Sequence, residues 1–209
     1  MGHVVLLGDS IFDNARYVPD RPPVIDQLRQ ALSKGWVATL LAVDGHVTED
    51  VANQLRKIPV DATHLVVSAG GNDALGESSI LGEAAGTVGE ALGRIHDVRE
   101  RFRTSYRAML QWLAAVGKPT AVCTVYDAIP GLSPAEQTAL GAFNEVILRE
   151  AFLAGLPVVD LRLVCDRSAD YSHVSAIEPS AVGGAKIVRA IAELVSAHDF
   201  GERKSSIYI

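Results

Sequence analysis

Three short segments of this sequence place small and polar residues directly after predicted strands. They are Gly8-Asp9-Ser10, Asp44-Gly45 and Gly70-Gly71-Asn72-Asp73. A serine at such a strand end can be a nucleophile when a base reaches it. Acyl transfer also needs donors for an oxyanion, which the backbone N–H groups of Ser10 and Gly45 and the amide of Asn72 could supply. The structural alternative is that Ser10 caps a helix and that the other residues only form tight turns.

The elements that must position these residues alternate along the chain. The segment Val4-Val5-Leu6-Leu7 is half β-branched and predicts a strand that is buried on both faces. Periodicity predicts four more strands, over 36–43, 64–68, 120–125 and 156–160, and helices over 24–32, 49–56, 91–116, 134–154 and 179–197. This alternation predicts an α/β protein, a three-layer α/β/α sandwich with a five-stranded parallel sheet, whose strand ends meet at one edge. We predict a single domain over residues 1–198 and a loose polar tail over 199–209.

The composition of the chain restricts its possible partners, location and cofactors. The 209 residues are 48% hydrophobic and 21% charged, with a net charge of −6, which argues against a nucleic-acid partner. No apolar run approaches the ~18 residues of a membrane span, and the early first strand leaves no room for a signal peptide, so we expect a cytoplasmic protein. We expect Cys123 and Cys165 to be small buried hydrophobic residues. The sequence does not decide whether they form a disulfide. No Cys/His cluster suggests a metal. We therefore expect a small-molecule partner and no cofactor, while the oligomeric state is open.

In order and position, the three segments resemble the motif blocks of the SGNH hydrolase superfamily, the GDSL-type esterases and lipases. Gly8-Asp9-Ser10 matches the first block, Gly45 the glycine block, and Gly70-Gly71-Asn72-Asp73 the G-x-N-D block. The resemblance covers nearly the whole chain. It implies a flavodoxin-like sandwich and an enzyme that cleaves a carboxylic ester or thioester through an acyl-enzyme on Ser10. Ser10, Gly45 and Asn72 would then form the oxyanion hole, and no metal would take part.

The last block departs from the family pattern, which usually places D-x-x-H just before the final helix. Asp170-Tyr171-Ser172-His173 has that spacing, so His173 would be the general base and Asp170 would orient it. Five residues, however, separate His173 from Pro179, where the final helix is predicted to begin. An alignment on that helix puts Glu178 in the place of the histidine, either as an alternative base or as a substrate contact. We expect the helix N-terminus to stabilise Glu178 as an anion and so to lower its pKa, which would make it a poor base.

Two other functions remain open. The displaced last block is also compatible with a catalytically silent binding domain on the same fold. The other is a nucleotide-binding domain of the Rossmann type, against which the first turn lacks G-x-G-x-x-G and no phosphate-binding loop of the form G-x-x-x-x-G-K-[ST] occurs.

Overall fold

Six parallel strands form the central sheet of the computed structural model, which describes residues 1–209. In chain order they are β1 (His3–Gly8), β2 (Val37–Leu40), β3 (His64–Ser68), β4 (Thr120–Cys123), β5 (Val158–Val159) and β6 (Ile207–Tyr208). Their spatial order is β2-β1-β3-β4-β5-β6, and every neighbouring pair is parallel. The predicted parallel α/β architecture is confirmed, but the sheet has six strands and not five.

The sixth strand comes from the segment that was predicted to be a loose polar tail, so that prediction is wrong for its end. The N–H of Val158 donates to the carbonyl of Ser206 at 2.8 Å, and the N–H of Asp160 donates to that of Tyr208 at 3.0 Å. This short strand covers an edge of the sheet that would otherwise present unpaired backbone groups.

Helices cover both faces of the sheet. They are α1 (Val24–Ala31), α2 (Val51–Leu55), α3 (Gly71–Gly76), α4 (Val88–Val116), α5 (Pro134–Ala154), α6 (Leu161–Val164) and α7 (Ala181–Ala197). Alternate residues of β1 enter different cores, because successive side chains of a strand point to opposite faces. Val4 and Leu6 pack in a core with α1 and α7, whereas Val5 and Leu7 pack in a second core with α4 and α5. The protein is therefore a three-layer α/β/α sandwich.

The start of the last helix differs from the prediction in a way that affects the site. Helix α7 begins at Ala181 and not at Pro179, because the hydroxyl of Ser180 accepts hydrogen bonds from the N–H groups of Val182 and Gly183. Serine at this position satisfies backbone donors that the first helical turn leaves free. Glu178 consequently lies in the bend before the helix.

Candidate active site

The turn after β1 presents Ser10 at the carboxyl edge of the sheet. Gly8 has a φ of 116°, and a Cβ built there would lie 1.6 Å from the carbonyl oxygen of Ser68, so only glycine fits this crossing. The N–H of Asp9 then donates to the same carbonyl at 3.1 Å. The Asp9 carboxylate accepts from the N–H of Ile11 at 3.1 Å, which closes the turn around Ser10.

The two other predicted blocks are joined to each other directly. The amide Nδ2 of Asn72 donates to the carbonyl of His46 at 2.9 Å. The neighbouring carboxylate of Asp73 accepts from both the N–H and the hydroxyl of Thr48 at 3.0 Å. These contacts fix the turn that carries Gly45, whose φ is 82°. Ser10 and Asn72 line the same cavity, whereas Gly45 is exposed and lies on the tethered turn outside the cavity lining.

Backbone donors at these positions are free. The N–H groups of Ser10 and Gly45 donate no hydrogen bond within the protein. Only one of the two protons of the Asn72 amide is needed for His46. Free N–H donors are the groups that can stabilise a developing oxyanion, and of these three the Ser10 N–H and the Asn72 amide belong to residues that line the cavity.

A cavity of about 150 Å³ opens beside Ser10. Its walls come from α3, the following turn, α4, the loop after β4 and α5, and most of its side chains are hydrophobic, among them Leu75, Ile80, Ile95, Val98, Leu140 and Phe143. Asp9, Ser10, Asn72 and Glu178 also line it. Concave, mainly apolar pockets with a few polar groups at one point are the usual form of a small-molecule site.

Glu178 is held beside Ser10 by contacts on both sides of its backbone. The hydroxyl of Tyr126 donates to the carbonyl of Ile177 at 2.6 Å, and the amide of Asn14 donates to the carbonyl of Pro179 at 3.2 Å. The N–H of Ser172 also donates to the carbonyl of Glu178 itself at 2.8 Å. Asn14 accepts in turn from the N–H of Val24, so it ties the turn after Ser10 to the Glu178 segment.

The Glu178 carboxyl is almost completely buried, with 3% of the residue exposed. Burial raises its pKa to about 7, and the charges of Asp44 and Asp13 act in the same direction, while the hydroxyl of Ser10 opposes the shift. The expectation that the helix terminus lowers this pKa is therefore wrong, because the helix starts three residues later and the surroundings are apolar. The Oε2 atom of Glu178 is buried and has no hydrogen-bond partner.

A second acid lies beneath the serine turn. Asp9 is buried, and its burial raises its pKa to about 8 against the opposing hydrogen bond from Ile11. The charges of Glu178 and Asp73 raise it further. With its pKa raised above neutrality, the Asp9 carboxyl is mainly protonated near pH 7.

The structure does not bring the predicted Asp170–His173 pair to Ser10. His173 is exposed and is absent from the cavity lining. Asp170 is buried, but it accepts from the ammonium of Lys186 at 2.7 Å and from the N–H of Arg167 at 3.0 Å, not from His173. An antiparallel bridge between Tyr171 and Pro179 pairs the two ends of residues 171–179, and His173 lies in the loop between them, on the surface.

Two residues of the site were not assigned a role from the sequence. Tyr126 is fully buried, lines the cavity and holds the Glu178 segment. Its position three residues after β4 at the carboxyl edge of the sheet was the available signal. The side chain of Gln54 accepts from the N–H of Gly8 and donates to its carbonyl, both at 2.7 Å. The same carbonyl also accepts from the N–H of Val43 at 3.1 Å. Nothing in the sequence context of Gln54 indicates its contacts with Gly8.

Other predicted features can be located as well. Cys123 and Cys165 are free and buried. No group of three or more His, Cys, Asp or Glu side chains is placed to hold a metal ion. None of the helices combines the length and the hydropathy that a bilayer crossing requires.

Comparison with protein families identifies the family of this chain. The model of the GDSL-like lipase/acylhydrolase family matches residues 6–185, and the chain therefore belongs to this family. Family and fold together support a hydrolase of ester substrates. No curated protein matches the sequence significantly.

Solved structures share the fold at low sequence identity. The lipase Lip_vut3 from a goat rumen metagenome superposes with a TM-score of 0.72 at 15% identity, covering 90% of this chain and 95% of its own. An extracellular lipase of Streptomyces rimosus gives 0.65 at 18% identity, covering 95% and 100%. Phospholipase A1 of Streptomyces albidoflavus NA297 gives 0.65 at 17% identity, covering 95% and 99%.

Proposed function

We propose that the protein is a serine esterase in which Ser10 is the nucleophile and Glu178 is the general base. The observation that carries the proposal is the meeting of three features at one apolar cavity. These are the Ser10 hydroxyl, a buried carboxyl whose pKa burial raises to about 7, and two N–H donors of the lining, the free backbone N–H of Ser10 and the side-chain amide of Asn72. A base is most effective when its pKa lies near the working pH, and a buried glutamate meets that condition.

In the first half of the reaction, Glu178 takes the proton from the Ser10 hydroxyl as the serine oxygen attacks the acyl carbon. The negative charge moves to the carbonyl oxygen, where the N–H groups of Ser10 and Gly45 and the amide of Asn72 bind it. Protonated Glu178 then donates its proton to the leaving alcohol oxygen, which breaks the ester bond and leaves the acyl group on Ser10.

In the second half, Glu178 takes a proton from a water molecule, whose oxygen attacks the acyl-enzyme carbon. The same donors bind the oxyanion, and return of the proton to Ser10 releases the carboxylic acid. Because Glu178 must be ionised to begin each half-reaction, turnover should rise with pH through about 7. Neither Asp170 nor His173 takes part.

A catalytically silent binding domain is the second candidate, and its motivation is the exposed position of His173. Hydrolysis of p-nitrophenyl acetate separates the two, measured for the parent protein beside Ser10→Ala, Glu178→Gln and His173→Ala. We expect the first two variants to lose activity by at least 10²-fold and His173→Ala to keep it. Loss of activity in His173→Ala would overturn Glu178 as the base. Equal rates in the parent protein and Ser10→Ala would overturn the esterase proposal and favour the binding domain.

A further inference from the structure

The size of the cavity beside Ser10 limits the group that it can hold. Its volume is about 150 Å³, similar to an engineered cavity of about 150 Å³ that binds benzene. A group of about six carbon atoms therefore fills it. The walls nearest α4 and α5 are aliphatic or aromatic, with Ile95, Val98, Leu140 and Phe143 among them.

The charge of the cavity limits the substrate in a second way. Its only ionisable side chains other than tyrosine are four carboxyls, those of Asp9, Glu77, Glu136 and Glu178, and no Lys, Arg or His lines it. Glu77 is paired with Arg101 at 3.0 Å, so part of this charge is balanced outside the cavity. Hydrogen bonds from Ser133 lower the pKa of Glu136 and keep it ionised. Asp9 is mainly protonated near neutral pH, so an approaching anion meets the negative charge of Glu136 and of ionised Glu178, and no cation of the lining could bind it.

We propose that this cavity binds the acyl part of an uncharged ester of an apolar acid with about six carbons, such as a hexanoyl or benzoyl ester, and disfavours substrates with anionic leaving groups. Phospholipids and coenzyme A thioesters belong to the disfavoured class. The proposal rests on the esterase function given above and names the substrate class of the same site. The phosphate-bearing substrates of a fold neighbour such as the phospholipase are thus not carried over to this chain.

Chain length is tested with p-nitrophenyl acetate, butyrate, hexanoate, octanoate and dodecanoate. Burial of each methylene group is expected to raise kcat/KM about fourfold, so hexanoate, with four more methylenes, should exceed acetate by about 250-fold, with no further rise beyond octanoate. Ala139 lines the cavity on α5, and Ala139→Phe should lower the hexanoate-to-acetate ratio at least tenfold. Ala135→Phe is the matched control, because Ala135 is exposed one turn earlier on the same helix. A flat profile, or a maximum at dodecanoate, overturns the size argument.

Charge is tested with two thioesters that share the reacting bond, hexanoyl-coenzyme A and uncharged S-hexanoyl-N-acetylcysteamine. At low ionic strength the uncharged thioester should have the higher kcat/KM by at least tenfold, and added salt should reduce the difference. Glu136→Lys should reduce it as well, because it places a cation at the cavity wall. Equal or faster turnover of the coenzyme A thioester overturns the charge argument.

A binding measurement tests the proposed substrate class independently of the esterase proposal, because it requires no turnover. Hexanamide is neutral and resistant to turnover, and its affinity for the Ser10→Ala protein is measured by titration calorimetry beside acetamide. Preferential binding of hexanamide that Ala139→Phe weakens at least tenfold supports the substrate class even if no ester is cleaved. Absence of hexanamide binding overturns the substrate class, even if Ser10-dependent hydrolysis of the acetate ester stands.

Discussion

Replacement of Glu178 by glutamine should remove activity and at the same time stabilise the protein at high pH. Burial raises the pKa of this carboxyl from 4.5 to about 7. Because the folded-state pKa lies above the unfolded one, the stability linked to this group is complete below about pH 4.5 and is lost as pH rises through about 7. The shift lowers the free energy of unfolding by about 3 kcal/mol at pH 8.5 and by less than about 1 kcal/mol at pH 5.

Glutamine has nearly the same shape as glutamate and never ionises, so Glu178→Gln avoids this penalty. Its N–H group adds a cost of about 1 kcal/mol if it occupies the buried position of Oε2, where no acceptor is present. We therefore expect the variant to be more stable than the parent by about 2 kcal/mol at pH 8.5 and equal to it at pH 5. A chain of this size gains about 2–4 °C in Tm for each kcal/mol. Thermal unfolding at both pH values measures the effect, and ester hydrolysis at pH 8.5 should fall at least 10²-fold.

Glu150 supplies the matched control, since it is a second buried glutamate with a shift of the opposite sign. Its carboxylate accepts from Arg103 at 2.8 Å and from Arg107 at 2.6 Å, and these hydrogen bonds lower its pKa although burial opposes them. Its contribution to stability is present above the unfolded pKa and is lost as pH falls. Glu150→Gln should therefore be less stable than the parent at pH 8.5. If Glu178→Gln is also less stable than the parent at pH 8.5, the reasoning about the buried acid is refuted.

Three further predictions concern the same edge of the sheet. Asn72→Ala should fold but lose about 10²–10³ in turnover, because it removes an oxyanion donor and frees the carbonyl of His46; retention of activity in steady-state hydrolysis would exclude Asn72 from the site. Gly183→Ala should destabilise the protein by about 1–3 kcal/mol in thermal unfolding, because the added Cβ would lie 2.1 Å from the carbonyl oxygen of Asp170. A gain in Tm, which helix propensity alone predicts, would contradict this close packing. Lys186→Met should lower the free energy of unfolding in urea by about 2 kcal/mol, because Asp170 stays buried without its cation, but it should leave kcat unchanged. A loss of kcat in the folded variant would return Asp170 to the mechanism.

The turn that carries Ser10 and the parallel fold were predictable because their signals are local. Four consecutive apolar residues before Gly8 define a buried strand, and the glycine marks the point where a side chain would meet the neighbouring strand at Ser68. The alternation of strands and helices then permits few arrangements of a parallel sheet. The parallel architecture and the family were accordingly correct from sequence, and the positions of Ser10 and Asn72 agree with the predicted convergence at one edge.

The residue of the last block that lies beside Ser10 could not be selected from sequence, because two registers of that block compete over five residues. The deciding contacts are long-range. Ser180 donates its N–H to the carbonyl of Asp170 at 2.8 Å, and Ser172 donates to that of Glu178 at 2.8 Å, which closes the segment on itself. Tyr126 and Asn14 then hold the Glu178 side of the loop from two other parts of the chain. None of these pairings has a periodic or motif signal, so the exposed position of His173 followed only from the structure.

The sixth strand was missed for a similar reason. Residues 199–206 are mostly polar, and only Ile207 and Tyr208 pair with β5. A two-residue strand has no measurable period, and its stability comes from an edge that is built almost fifty residues earlier in the chain. The apolar ending Ile207-Tyr208-Ile209 was the one available signal.

The central claim is that Ser10 is an activated nucleophile, and covalent labelling tests it most directly. A fluorophosphonate with a hexyl chain is added to the intact protein at pH 8, and the adduct is located by mass spectrometry of its peptides. We expect one phosphonyl group on Ser10, loss of labelling in Ser10→Ala, strong slowing in Glu178→Gln and normal labelling in His173→Ala. An unlabelled protein, a label on another residue, or labelling that depends on His173 would contradict it.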